Sequence, residues 1–274
     1  MEHPTIRSCI SYQGSKYELI NTYRIQEFIP PTNTNRPYCE VFGGGLTMFF
    51  NIADCTCAFL NDIDSDLVNF WIQIQKYQTE FEAKLKYVWC GNGFLEELAK
   101  ETSDISRAVA YYLRNRMGMY IKFPKPLEKD ISFWKQKLDA TRILIMNYDY
   151  ATALDMVCRV RNPLVTEDYY MVIYEDPPYY HLQANYKTQS FDHQRLWQLN
   201  QQYTKQGQHI LLSYNKCAEI ETLYRDWYKL EFPMRQMHPE MEKRVELLLS
   251  NRPLERHSKK AIPKKLTDFV KVSK

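Results

Sequence analysis

A chain of 274 residues that is 45% hydrophobic and 25% charged has room for one sizeable core, and its composition excludes a disordered or fibrous protein. Its mean hydropathy is negative, no apolar run approaches the roughly 20 residues of a membrane-spanning helix, and a net charge of +3 is too small to name a partner. The seven cysteines (Cys9, Cys39, Cys55, Cys57, Cys90, Cys158 and Cys217) are odd in number and lack paired spacing. That argues against a disulfide framework, and Cys55 and Cys57 stand too close for the usual zinc pair, so we expect no metal and reduced thiols in a cytoplasmic protein.

The opening residues, MEHPTIRSCI, lack the apolar core of a secretory leader. Residues 36–54 (RPYCEVFGGGLTMFFNIAD) read as a short strand, a glycine turn and a helix. A second strand over 57–64 (CAFLNDID) leads into a helical stretch over 65–85, with Asp64 or Ser65 as its N-cap. From about 86 to 140 the pattern is irregular but mostly helical, including 105–120 (ISRAVAYYLRNRMGMY). Strands are expected at 142–149 (RILIMNYD) and 170–176 (YMVIYED), a helix over 192–207 stopped by Gly207, and a further strand at 208–214 (QHILLSY). Alternating strands and helices imply an α/β fold with a mostly parallel sheet, interrupted by an insertion in the middle. The tail 252–274 is rich in lysine and arginine; it is either a solvated tail or a segment that sits near a polyanion.

In such sheets ligands bind beyond the carboxyl ends of the strands, and three strand ends carry notable residues. Gly43-Gly44-Gly45 is either a plain tight turn or a place where a ligand approaches the backbone; no Gly-Lys-Ser/Thr follows, so it is not a P-loop. Asp62 or Asp64, after the second strand, either caps the next helix or holds a ribose hydroxyl pair. The run 174–180 (YEDPPYY) sets a carboxylate, two prolines and two tyrosines at the end of a buried strand. Together, a glycine turn, an acid and Asp-Pro-Pro-Tyr suit a nucleoside-bearing cofactor with a reacting group beside it.

Six stretches, in order, resemble the D12-class, Dam-like DNA adenine-N6 methyltransferases. They are 12-YQGSK-16, 42-FGGGL-46, 60-LNDIDSDL-67, 176-DPPY-179, 212-LSYNKCAEIETLY-224 and 246-ELLLSN-251. One departure is Ser15, where the family often has a second glycine before the lysine. The resemblance implies a Rossmann-like S-adenosylmethionine-dependent methyltransferase sheet with a mostly helical inserted target-recognition domain. The catalytic domain would comprise residues 1–70 and 140–251, the insertion 71–139 and the basic tail 252–274. The implied activity is transfer of a methyl group from S-adenosylmethionine to a flipped adenine in double-stranded DNA, without a metal. The protein would be a cytoplasmic monomer or weak dimer in a bacterial, phage or mobile-element host, with a cognate restriction enzyme as a conceivable partner.

The same resemblance distributes roles over this chain. Asp176, Pro177, Pro178 and Tyr179 would be catalytic. The exocyclic N6 of adenine is a poor nucleophile because its lone pair is delocalised into the ring; the Asp176 carboxylate and the Pro177 carbonyl would each accept one N–H, while Tyr179 stacks on the base. Tyr180 either adds to that pocket or belongs to the core. Tyr12, Gly14 and Lys16 would flank the methionine part of the donor, Phe42, Gly43 and Gly45 would admit it to the backbone, Asp62 would hold the ribose, Asp176 would also border the donor, and Asp149 and Tyr150 would either lie near the donor's adenine or form a plain strand-end turn. In the insertion, 107–125 interleaves tyrosines with cations, making Arg114, Asn115, Arg116, Lys122 and Lys125 candidate nucleic-acid contacts. Two alternatives keep the motifs but change the outcome: an amino methyltransferase acting on RNA adenine or cytosine N4, and a non-catalytic regulator that binds the donor or DNA.

Overall fold

The computed structural model describes residues 5–12, 14–52, 55–87, 98, 100–117, 128–140, 142–159, 169–180, 191–234 and 244–257. One seven-stranded sheet organises them, with the order β3-β2-β1-β4-β5-β7-β6. The strands are β1 (Tyr38–Glu40), β2 (Cys57–Asn61), β3 (Arg142–Met146), β4 (Val172–Glu175), β5 (His209–Asn215), β6 (Tyr228–Pro233) and β7 (Val245–Ser250). The first five are mutually parallel; β7 runs antiparallel to both β5 and β6, between which it lies. The expected strands at 57–64 and 142–149 end earlier than the sequence suggests, at Asn61 and Met146. Beyond them the backbone turns outward, and Asn61 ties the two ends together: its amide donates to the Tyr148 carbonyl and its Oδ1 accepts from the Tyr148 N–H, both at 3.0 Å.

Side chains alternate across the sheet with the period of two that a pleated strand imposes. Tyr38, Ala58, Leu60, Val172, Tyr174, Leu211 and Leu248 face one core; Cys39, Ile173, Ile210, Leu212, Leu247 and Leu249 face the other. Among the described residues nine α-helices cover the two faces. On the first lie α1 (Tyr17–Tyr23), α2 (Thr47–Asn51), α3 (Ser65–Lys76), α4 (Gln78–Tyr87), α5 (Asp104–Met117) and α6 (Glu128–Asp139); on the second lie α7 (Tyr150–Arg159), α8 (His193–Lys205) and α9 (Ala218–Leu223). The insertion's helices do not build a separate core: Ala108, Val109, Tyr112, Leu113, Ile131, Trp134 and Leu138 join the same buried cluster as Tyr38, Phe49 and Val172.

The helix expected over 65–85 is two helices. The backbone leaves the helical region at Tyr77 (φ −133°, ψ 39°), and α4 restarts at Gln78. The break lets Phe81 fold back edge-on against Phe70 and Tyr112, with ring centroids 5.9 and 6.0 Å away. Of the two candidate caps, Asp64 takes the role: its Oδ1 accepts from the N–H groups of Asp66 (3.1 Å) and Leu67 (3.4 Å). Asp64→Ala leaves those donors without their acceptor and is expected to lower stability by about 1 kcal/mol in urea denaturation; an unchanged midpoint would remove the cap from the account.

The start of the basic tail is docked. Arg256 pairs with Glu27 at 2.9 Å and donates to the Tyr23 carbonyl, while the Arg252 guanidinium lies 4.3 Å from the centre of the Tyr170 ring. These two arginines are engaged within the chain rather than held out toward a polyanion. Residues 258–274 lie outside the described set. No described helix is long and apolar enough to cross a membrane, and no disulfide joins the six described cysteines.

Candidate active site

The strand order sends the chain from β1 outward to β2 and β3, then back across to β4 on the other side of β1. A crevice opens where the order reverses, at the carboxyl ends of β1 and β4. A cavity of about 490 Å³ occupies it, lined from four segments: Tyr12 to Lys16, Glu40 to Met48, Asp62 to Ser65, and Tyr174 to Tyr179. That volume lies within the range of pockets that take nucleoside-sized ligands.

The glycine turn forms the cavity's floor by close backbone contacts. The Gly43 N–H donates to the Asn61 carbonyl at 2.7 Å, which locks the turn to the end of β2. Gly44 has φ +48°, and a Cβ there would come within 2.7 Å of the Tyr12 ring. Only glycine meets both demands without strain. The Gly44 N–H donates to Asp62 Oδ2 at 2.8 Å, and its carbonyl accepts from the Trp71 indole at 3.0 Å. Asp62 therefore does not cap α3; it braces the glycine turn and accepts a second N–H, from Asp64, at 2.9 Å. Burial still raises its pKa above the usual carboxylate value, against those backbone donors.

Asp176 sits one residue beyond β4. Its Oδ2 lies 2.7 Å from the Lys16 ammonium, which is almost fully buried and also donates to the Gly14 carbonyl at 2.8 Å. Burial pushes the Asp176 pKa up to about 6; the Lys16 charge opposes the shift and Glu246 adds to it. The sign matters. A carboxyl whose folded pKa exceeds its unfolded one adds stability below the unfolded value and loses it as pH rises through the folded value. The fold thus disfavours the ionised form of Asp176 that an acceptor role requires. Pro178 and Tyr179 line the cavity, and the Lys16 ammonium lies 5.0 Å from the centre of the Tyr179 ring. Pro177 is buried. Tyr180 faces the second core, its ring 4.7 Å from His193 and its carbonyl accepting from the Asn215 amide.

The structure thus brings Tyr12, Gly14, Lys16, Phe42, Gly43, Gly45, Asp62, Asp176, Pro178 and Tyr179 around one cavity. Asp149 and Tyr150 are not among its lining residues. Asp149 works as the N-cap of α7, accepting from the N–H groups of Ala151 and Thr152 and from the Thr152 hydroxyl, chiefly the last of which lowers its pKa. Tyr150 packs beside the cavity wall, 5.9 Å from Phe42 and 5.1 Å from Phe191. On α5, Arg114 is exposed, while Asn115 accepts the Ser11 N–H at 2.6 Å. Tyr112, expected beside the cations, is wholly buried in the core. The side chain of Arg116, and Lys122 and Lys125 altogether, lie outside the described residues.

Glu40, Gly44 and Glu246 are among the residues at the site that received no role from the sequence. Glu40 ends β1; its Oε2 accepts from the Tyr38 hydroxyl (3.0 Å) and the Phe49 N–H (3.1 Å), and burial lifts its pKa to about 8. Gly44 was legible as part of the triple glycine, yet its positive φ was not. Glu246 lies on β7, far along the chain, and accepts the Tyr179 hydroxyl at 2.9 Å. Among the described residues no cluster of histidine, cysteine or carboxylate groups is placed to hold a metal.

A sheet of this order, with its glycine turn, acid and Asp-Pro-Pro-Tyr gathered at the switch point, is consistent with a Rossmann-like methyltransferase fold. The family model of the D12 class N6 adenine-specific DNA methyltransferases matches residues 12–162, more than half of the chain. The protein belongs to that family and is a DNA adenine methyltransferase acting at N6. The match covers the glycine turn and Asp62; Asp176 lies beyond it.

Proposed function

We propose that the protein transfers a methyl group from S-adenosylmethionine to the N6 of an adenine flipped out of double-stranded DNA, with Asp176, Pro177, Pro178 and Tyr179 as the transfer site. The observation that carries this reading is the position of Asp176: its carboxylate and the Tyr179 ring border the same cavity as the glycine turn and Asp62. The residues suit the donor. Added Cβ atoms at Gly43 and Gly44 would meet the Asn61 carbonyl and the Tyr12 ring at 3.0 and 2.7 Å, so only glycine lets the turn sit this close to β2 and Tyr12, and the same turn lines the cavity. Phe42 and the exposed Ile63 offer apolar contact to a purine, and Asp62 offers a carboxylate to a ribose. Tyr12, Gly14 and Lys16 would flank the amino-acid part, with Asp149 and Tyr150 nearer the adenine.

When bound, the donor supplies a methyl group made electrophilic by its sulfonium. The chain's residues align and activate the amine. The Asp176 carboxylate accepts one N6–H and the Pro177 carbonyl the other, which draws the nitrogen lone pair out of the ring and toward the methyl. Two consecutive prolines hold φ near −65° and add no competing N–H donors. Tyr179 offers a face for the extruded base; such stacking is worth roughly 1–3 kcal/mol and offsets part of the cost of flipping. Alignment of the two reactants, rather than a metal, carries the acceleration.

We assign target contact to the helical insertion over 71–139, through Arg114, Asn115, Arg116, Lys122 and Lys125, and donor binding to residues 1–70 and 140–251. A cytoplasmic location and action as a monomer or weak dimer fit this reading.

The test is transfer from methyl-labelled S-adenosylmethionine to duplex DNA, followed by separation of the nucleosides. Label in N6-methyl-2′-deoxyadenosine is expected; label in N4-methyl-2′-deoxycytidine, or in RNA alone, would overturn the substrate assignment. The rate should fall at acid pH with an inflection near the Asp176 value of about 6, since the protonated carboxyl no longer draws on the amine.

A further inference from the structure

We infer that Glu246 is a positioning residue for methyl transfer: it holds the Tyr179 hydroxyl and shares the Lys16 ammonium with Asp176, so that the stacking ring and the acceptor carboxylate keep their places at the cavity. This rests on the reading of Asp176 to Tyr179 as the transfer site.

The topology brings Glu246 there. Because β7 runs antiparallel to β5, its first residues arrive at the end of the sheet where the parallel strands finish, with Glu246 opposite Asn215 on β5 and Phe232 on β6. Its Oε2 accepts from the Tyr179 hydroxyl at 2.9 Å and lies 4.0 Å from Lys16 Nζ, which in turn is 2.7 Å from Asp176 Oδ2. The cluster therefore sets one ammonium and one phenol between two carboxylates. The side chains are 4% (Lys16), 16% (Glu246) and 20% (Asp176) exposed, so bulk water does little to replace any of these contacts.

The consequence follows from counting donors. The Tyr179 hydroxyl also reaches Asp176. Without Glu246 it would turn fully onto Asp176 and occupy an oxygen that must face the amine. The ammonium, which also donates to the Gly14 carbonyl, would likewise lean more heavily on Asp176 and withdraw electron density from the acceptor. Glu246 draws both donors part of the way off and leaves the Asp176 carboxylate more basic. Asp176 also faces Tyr174 on β4 and Glu40 on β1, besides Lys16, Tyr179 and Glu246; Glu246 lies within 4.0 Å of both of its donors.

The experiment measures single-turnover transfer from labelled S-adenosylmethionine to a duplex oligonucleotide across pH, with donor affinity by calorimetry, for the full chain and five variants. Glu246→Gln keeps the volume and an acceptor oxygen but loses the charge; Glu246→Ala loses both. We expect Glu246→Ala to slow transfer by roughly tenfold to a hundredfold, the scale of one hydrogen bond to a charged acceptor, with donor affinity changed by less than about threefold on the same scale. Glu246→Gln should recover part of the rate and move the acid inflection to lower pH, a shift that a merely structural role would not produce. Combined with Tyr179→Phe, Glu246→Gln should cost less than the sum of the two changes. Wild-type rates and an unmoved inflection in both Glu246 variants would overturn the inference, as would a loss of donor affinity that matches the loss of rate. Asp176→Ala separates the two levels: if it abolishes transfer while the Glu246 variants are neutral, only the role of Glu246 falls; if it transfers normally, the transfer site itself is misplaced. Should Glu246→Ala fail to fold, the near-isosteric Glu246→Gln decides by rate and inflection.

Discussion

Asp176→Ala should lower the rate of methyl transfer by at least about a thousandfold and leave the methyl donor bound with largely unchanged affinity. The two parts have different causes. On the proposed mechanism the rate depends on a carboxylate oxygen placed to accept from the amine; the neighbouring Glu175, which ends β4, does not line the cavity and accepts from Asn200 instead. On the proposed reading donor binding draws mainly on the glycine turn, Asp62 and Phe42, which lie apart from Asp176; of the proposed donor contacts Lys16 is the one paired with it. The physical cost of the substitution to the fold should be small. Asp176 is raised to about 6 even with the Lys16 ammonium 2.7 Å away, so its surroundings disfavour the charge. Asp176→Asn, which keeps the volume, is therefore expected to match or exceed the wild-type melting temperature at pH 8, where the wild-type carboxyl is forced to ionise. That pattern, a group that weakens the fold and drives the reaction, is the usual mark of a functional residue. Single-turnover kinetics and calorimetric donor titration check both parts; normal transfer by Asp176→Ala would end the mechanism.

The second large effect concerns stability. Phe70 is fully buried where α3 meets α4 and α5, with ring centroids 4.9 Å from Trp71, 5.9 Å from Phe81, 6.0 Å from Tyr111 and 5.7 Å from Tyr112. Phe70→Ala removes a ring that four aromatic neighbours surround and leaves a cavity they cannot close without giving up their own contacts. A loss of about 3–5 kcal/mol is expected, visible as a lower urea midpoint. The effect should not stay within the insertion. Trp71 donates to the Gly44 carbonyl at 3.0 Å, so loosening α3 also loosens the glycine turn. Donor affinity should fall with stability in this variant, in contrast to Asp176→Ala. A loss below about 1 kcal/mol would mean that the aromatic cluster repacks freely, against the close packing of protein interiors.

Much of the site was legible from the chain because its parts are short-range. Gly43-Gly44-Gly45, Asn61-Asp62 and Asp176-Pro177-Pro178-Tyr179 each sit within a few residues of a strand end, and strand ends of a parallel sheet converge at one edge whatever the loops between them do. The period-two burial of β1, β4 and β5 was equally visible as apolar runs. What could not be read was the arbitration between equivalent local roles. Asp62 and Asp64 are two residues apart and both acidic; only the position of Gly44 shows that the first braces the turn and the second caps α3. Asp149, proposed to lie near the donor's adenine, also caps α7, a role that the sequence did not show because the strand before it ends at Met146. Tyr112 lay among cations in sequence, and the helical period turned it into the core.

The amino-acid sequence by itself determined the alternation of strands and helices, the glycine turn and the carboxylate–proline–tyrosine end of β4, since these depend on local backbone preference and on hydrophobic period. Tertiary structure alone decided which distant groups meet. Lys16 pairs with Asp176 across 160 residues of chain, and Glu246 reaches Tyr179 from a strand that runs against its neighbours. The direction and place of β7 are set by long-range pairing, which costs chain entropy and returns it only when the whole sheet forms; no local pattern encodes it.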